Sequence, residues 1–215
     1  MKRNDRLRNN LSWLIVVIFF QVNLFLLSEY LLLEDSLYYD FFGDKLSYER
    51  IAKLILDGKK WKWLSYVLIP LLTLLKCFCL AVCFYAGAFF IRVENKFSDF
   101  FRLAVLAEFI VFVPIIIKII WFGFIHRNYT LEDLTYFFPL SILNLFDRTE
   151  LDTWLIYPLQ LLNVFEVIYW LLLAYLLKEL IGKSFIQRLG FVASTYGVGL
   201  FIWVLFVTFL TVSLS

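Results

Sequence analysis

The chain has 215 residues, 62% of them hydrophobic and 20% aromatic, with a formal net charge of +2 and a mean hydropathy of +0.82. A soluble domain of this size is nearer half apolar, with its apolar residues spaced periodically, so long apolar runs exclude that class. No basic patch with interleaved aromatics occurs, which excludes the usual nucleic-acid surface. A single histidine, His126, excludes a His-based metal centre or an intramembrane H-E-x-x-H site.

Residues 1–10 form a basic N-terminus carrying Lys2, Arg3, Arg6 and Arg8. The apolar run that starts at Leu11 continues to about residue 33 without a small-x-small cleavage site, so it reads as an uncleaved signal anchor. Residues 11–215 read as a single membrane domain, an all-α polytopic bundle of about five transmembrane helices. The spans are placed at 11–33, 64–91, 103–125, 154–177 and 191–213, each long enough to cross roughly 30 Å of hydrocarbon. Trp13, Trp61, Trp63, Trp121 and Trp154 fall near proposed ends, where amphipathic rings sit among headgroups. Pro70 and Pro114 lie inside spans and predict kinks.

Between the first two spans, residues 46–57 place Glu49, Arg50, Lys53 and Asp57 on one helical face. Ile51, Leu54 and Ile55 fall largely opposite, the pattern of a helix lying on a membrane surface. Residues 139–146 open with Pro139, suit a first helical turn and are too few to cross, so they are expected either to dip into the interface or to cap the bundle. Cys77, Cys79 and Cys83 all fall in the second span and behave there as small hydrophobes, with neither a disulfide nor a metal site implied.

Orientation follows from short basic segments. The N-terminus, the segment with Arg92, Lys96 and Arg102, and the segment with Lys178, Lys183 and Arg188 share one side in a five-span topology. That side is expected to be cytoplasmic, with the C-terminus opposite. The first loop runs against the rule, with Lys45, Arg50, Lys53, Lys59, Lys60 and Lys62 nominally outside.

Ionisable groups at membrane depth are costly unless paired or wetted, which makes each a site candidate. Lys76 and Glu166 sit midway along spans two and four and are expected to form a buried ion pair. Glu108 is placed nearer the cytoplasmic end of span three, and Lys118 nearer its outer end, where its stem can snorkel. Ten helical residues separate those two by roughly 15 Å, too far to pair. Span four carries a polar stripe of Gln160, Asn163 and Glu166, continuing to Tyr169 and Trp170, which should face inward. It serves either interhelical hydrogen bonding or a path for protons, ions or a polar substrate. The small-xxx-small pairs Ala193/Gly197 and Thr195/Gly199, with Gly87 between two alanines, are expected at close helix contacts. His126 with Asp147 or Asp152 would make an acid–base pair, but a solvated interfacial histidine accounts for it as well. Neither a G-x-S-x-G elbow nor a P-loop is present, and no enzyme or cofactor is implied.

Residues 154–170, WLIYPLQLLNVFEVIYW, followed by a leucine-rich stretch and Gly182, Lys183 and Ser184, resemble the Yip1-type membrane domain. The pattern of that family, Leu-x-x-Leu-[Asp/Asn]-x-Phe-x-[Ile/Leu]-[Trp/Tyr], is approached by Leu159, Leu162, Asn163, Phe165, Val167 or Ile168, and Tyr169. The five-span count and cytoplasmic N-terminus agree with it. The N-terminal extension of only about ten residues and the charged first loop depart from it. The resemblance implies a non-enzymatic integral membrane protein, and the compact loops suggest a bacterial inner membrane. The expected mode of action is assembly with membrane-protein partners or with further copies, or organisation of lipid. The alternative is a small permease or channel subunit in which Lys76, Glu108, Asn163 and Glu166 line a polar route. The odd number of spans and the lack of internal repeats weigh against a stand-alone transporter.

Overall fold

The computed structural model describes residues 3–147 and 151–214, with side chains from Leu11 onward. Lys2 of the basic N-terminus therefore lies outside the described residues. Among those described there is no strand, only an isolated antiparallel bridge between Ser141 and Asn163. In chain order the helices are α1 (Arg3–Leu32), α2 (Asp35–Phe42), α3 (Tyr48–Trp61), α4 (Trp63–Phe90), α5 (Phe97–Ala107), α6 (Phe112–Ile120) and α7 (Leu131–Tyr136). There follow α8 (Thr153–Leu161), α9 (Val164–Leu176), α10 (Lys178–Ile181), α11 (Phe185–Val192) and α12 (Val198–Leu214). A 3-10 turn at Glu108–Val111 joins α5 to α6, and a π turn at Ala193–Gly197 joins α11 to α12.

Four continuous helical stretches are long and apolar enough to cross a bilayer: Leu11–Leu32, Trp63–Phe90, Phe97–Ile125 and Phe185–Leu214. The chain is thus a multi-pass integral membrane protein with an all-helical fold. Two of these start about six residues before the apolar runs do, because helix caps lie upstream. The Asp99 carboxylate accepts from the Lys96 N–H at 3.3 Å. Ser184 and Gln187 form a reciprocal capping box, with bonds of 3.2 and 3.4 Å.

The stretch expected as span four is not one helix. α8 and α9 are separate, broken at Leu162 and Asn163, whose backbone is non-helical. Asn163 caps α9, its side-chain oxygen accepting from the Glu166 N–H at 2.8 Å. The segment just before α8 satisfies the freed backbone groups. The Ile142 N–H donates to Leu162 O at 2.9 Å, the Val164 N–H to Leu140 O at 3.2 Å, and the Ser141 hydroxyl to Leu159 O at 2.9 Å. Of the two placements expected for 139–146, residues 140–146 therefore do not take the one on the membrane surface. They make a 3-10 turn, Ile142–Leu145, with Leu143 fully buried.

Contacts divide the chain into two compact units where the sequence suggests one membrane domain. The first comprises Met1–Val17, Leu74–Val111 and Leu140–Ser215; the second comprises Ile18–Thr73 and Phe112–Pro139. Each takes segments from both halves of the chain, so no shift in composition could mark a boundary.

The core of the first unit is built on Phe84 and Phe100, both fully buried, with Phe191 5.8 Å from Phe84. Leu103, Ala104, Leu173, Ala174 and Val192 complete it. α9 packs against α11 and α8 against α12, an antiparallel arrangement broken in both strands of the hairpin. Gly87 is required there: a Cβ would collide with Thr195 Cγ2 and press on the Phe191 ring.

In the second unit, Leu32, Ile119 and Phe122 form a buried cluster with Tyr129, Leu134 and Phe137. The Tyr129 hydroxyl donates to Leu32 O at 2.9 Å, satisfying a carbonyl at the C-terminal end of α1. α3 is the amphipathic helix expected at 46–57, running slightly later, with Ile51 and Ile55 buried and its charged residues exposed. Asp35 pairs with Lys59 at 2.7 Å, and Glu29 with Lys62 at 2.9 Å.

Candidate functional site

Within the first unit the polar residues at depth gather around two carboxylates. Glu108 opens the 3-10 turn after α5, with its side chain only 2% exposed. Lys76 from α4 reaches both of its oxygens, at 3.0 Å to Oε1 and 3.1 Å to Oε2. The same ammonium lies 5.3 Å from the centre of the Tyr169 ring, within cation–π range. The Tyr169 hydroxyl donates to Glu108 Oε1 at 3.5 Å, a long bond that orients more than it stabilises.

The ion pair is thus Lys76–Glu108, which corrects the expected Lys76–Glu166 pair. The reason is where the helix begins. Counted from residue 103, Glu108 looks shallow; counted from Phe97, it lies eleven residues in, or about 16 Å along the axis. Lys76 lies fourteen residues before Phe90, about 21 Å from that end, and its long stem covers the difference.

Glu166 is held without a cation. It occupies the first turn of α9, where the positive end of the helix dipole favours an anion. The Tyr196 hydroxyl donates to its Oε1 at 2.8 Å and the Trp170 indole N–H to the same atom at 2.9 Å. Tyr196 belongs to the π turn, and its ring packs edge-on to Tyr169 at 5.5 Å between centroids. The two carboxylates are thereby linked through neighbouring tyrosines. A π turn widens the helix by one residue per turn and redirects side chains, and such turns favour functional sites.

The other predicted residues divide between this site and separate places. Asn163 joins it through the cap of α9 and also donates to Gln160 O at 3.0 Å. Gln160 is half-buried and contributes that carbonyl. Lys118 is not part of it: in the second unit its ammonium donates to Leu134 O, and Phe138 lies 6.0 Å away. This explains how a lysine is tolerated deep in a span, by an acceptor within reach rather than by snorkelling alone. His126 is exposed in the same unit, edge-on to Phe122 at 6.3 Å.

Of the packing residues, Gly197 meets the Trp170 indole, where an added Cβ would lie 2.7 Å from Cη2. Gly199 faces Cys83, with 3.2 Å between such a Cβ and Sγ. Ala193 departs from expectation. It is exposed, because the π turn between 193 and 197 rotates it off the face that Gly197 occupies. Tyr196 was missed as a site residue. Nothing local announces the π turn that aims it at Glu166.

Among the described residues, no group of three His, Cys, Asp or Glu side chains converges to hold a metal. No protein-family model, curated protein or solved structure matches the chain. The Yip1-type resemblance therefore rests on the residues quoted for it.

Proposed function

We propose that the chain is a non-enzymatic membrane protein of the Yip1 kind that works by assembly, with protein partners, with copies of itself or with lipid. Its N-terminus is cytoplasmic, its C-terminus opposite, and its membrane the bacterial inner membrane. The observation that carries this reading is the closure of the polar interior of the first unit. Glu108 is taken by Lys76, Glu166 by Tyr196 and Trp170, and the freed carbonyls of the helix break by Ser141, Ile142 and Asn163. Carbonyls that would coordinate a passing ion in a broken-helix transporter are here occupied by protein donors. Non-helical backbone at membrane depth is stable when buried in protein in this way.

Native mass spectrometry of the protein released from membranes with its lipids tests the proposal. A stable homo-oligomer or hetero-assembly is the result expected. A monomer that exchanges its lipids without preference overturns it.

A second reading, a small permease or channel subunit, draws on one observation. Both hydrogen bonds to Glu166 converge on Oε1, beside a broken helix and a π turn. Among the described residues its other oxygen receives no hydrogen bond. If Glu166→Gln keeps the fold but abolishes proton-coupled flux in proteoliposomes, this second reading replaces the first.

A further inference from the structure

Arg188 is an arginine at the start of a membrane span that uses almost none of its donors. It lies three residues after Phe185, about 5 Å along the helix, with 7% of its surface exposed. Its Nη1 donates to Lys183 O at 3.0 Å and its guanidinium stands 5.8 Å from the Phe185 ring. Its Nε is buried and has no acceptor. A guanidinium offers five N–H donors, and a buried one left unused is unfavourable and asks for an acceptor.

Arg102, half-buried, shares one of these features. It lies five residues after Phe97, at the start of another span, and its Nε is also buried without a partner. The loops preceding these two spans are tied together, with the Asn95 side-chain amide donating to Leu180 O at 2.7 Å. Both arginines, with Lys96 and Lys183, therefore belong to the same end of the first unit. Lys96 and Lys183 are exposed, as is Ser184, which caps α11. Among the described residues neither Arg102 nor Arg188 forms an ion pair. Glu94 and Glu179 are exposed, and Asp99 caps α5.

The geometry points to a binding site for the phosphate of an anionic phospholipid at this end, with Arg188 as its main donor and Lys183 and Arg102 beside it. A phosphate brings the several acceptor oxygens that the guanidinium lacks, in geometry that suits a fork of donors. Depth selects the source. Donors one turn inside the start of a membrane span lie where headgroup phosphates lie, and basic pockets between spans are recognised lipid sites. The inference deepens the assembly reading by naming one lipid class, and it uses only the membrane topology from that reading.

The test is lipid titration of the purified full-length protein, followed by native mass spectrometry and thermal unfolding. Phosphatidylglycerol, phosphatidylcholine and inorganic phosphate are compared. Retained phosphatidylglycerol adducts and a raised Tm are expected, with phosphatidylcholine at least tenfold weaker. Arg188→Gln should weaken the adduct more than tenfold. Lys183→Gln, at an exposed position, should weaken it several-fold with the unliganded Tm unchanged, so the question is answered even if Arg188→Gln fails to fold. Equal retention of both lipids, or adducts unchanged in Lys183→Gln and Arg102→Gln, overturns the site. Stabilisation by millimolar phosphate without lipid would also overturn it, in favour of a soluble anion. A monomer with selective phosphatidylglycerol adducts would defeat protein assembly while supporting the lipid site; an unselective oligomer would do the reverse.

Discussion

The first unit holds two carboxylates by opposite means. Glu108, almost wholly enclosed, is matched by a full positive charge, while Glu166, half-buried, receives only neutral donors and the N-terminal turn of α9. The comparison teaches that the backbone around each acid decides whether it needs a cation. An acid at the junction of α5 with a 3-10 turn has only a tyrosine among its neutral donors and needs a cation. An acid beside a helix break has a fresh helix N-terminus next to it and can be held without one.

The sharpest break comes from removing the cation. Lys76→Met should destabilise the protein by about 3 kcal/mol, the lower end for a broken buried pair because the lysine is itself half exposed. Chemical unfolding in a fixed detergent checks this. A change below about 0.5 kcal/mol, the level of an ordinary surface substitution, would show that Glu108 does not depend on it.

Tyr196→Phe removes one of the two neutral donors to Glu166. The expected loss is about 1.5 kcal/mol, that of a hydrogen bond to a charged group. If unfolding instead matches the effect of Lys76→Met, the neutral cage is not sharing the load with Trp170 and the helix terminus.

Asn163→Ala strips the cap from α9 and should cost about 1 kcal/mol. Because Glu166 depends on that helix start, its effect should be less than additive with Tyr196→Phe. Strict additivity would separate the break from the carboxylate.

The smallest effect serves as a control outside the membrane-spanning segments. Lys62, between α3 and α4, is held above its ordinary value chiefly by its hydrogen bond to Glu29, with burial opposing. A cation with a raised folded value contributes fully below the unfolded value of about 10.4, and the contribution disappears as pH rises through the folded one. Tm measured across that alkaline window should fall slightly more steeply in the parent than in Lys62→Gln. Identical slopes would remove the bridge from the account.

Much of this fold was legible because the apolar runs are long. The apolar runs that begin at Leu11 and near Trp63 mark helices long and apolar enough to cross a bilayer, and the alternation of charge with Ile51 and Ile55 marks α3. Helix starts set by polar caps, as at Phe97 and Phe185, were missed by six residues, and that error alone misassigned the partner of Lys76. Prolines mark interruptions unevenly: Pro114 follows closely on the 3-10 turn Glu108–Val111. Pro70 leaves α4 unbroken, with Thr73 bonded to Ile69 O at 2.8 Å nearby, whereas the break after Pro158 falls at Asn163. That break depends on residues 140–142 supplying backbone partners from some twenty positions away, a pairing invisible to any local window. The polar stripe was visible as residues, but the cage around Glu166 was not, because Tyr196 reaches it only through a π turn.

The most direct measurement is a pair of double-mutant cycles read by unfolding in one detergent. The first combines Lys76→Met with Glu108→Gln, and the second combines Lys76→Met with Glu166→Gln. The account predicts a coupling of more than about 1 kcal/mol in the first cycle, with the double variant recovering most of the loss, and additivity within about 0.5 kcal/mol in the second. Strong coupling to Glu166 together with additivity at Glu108 would contradict it.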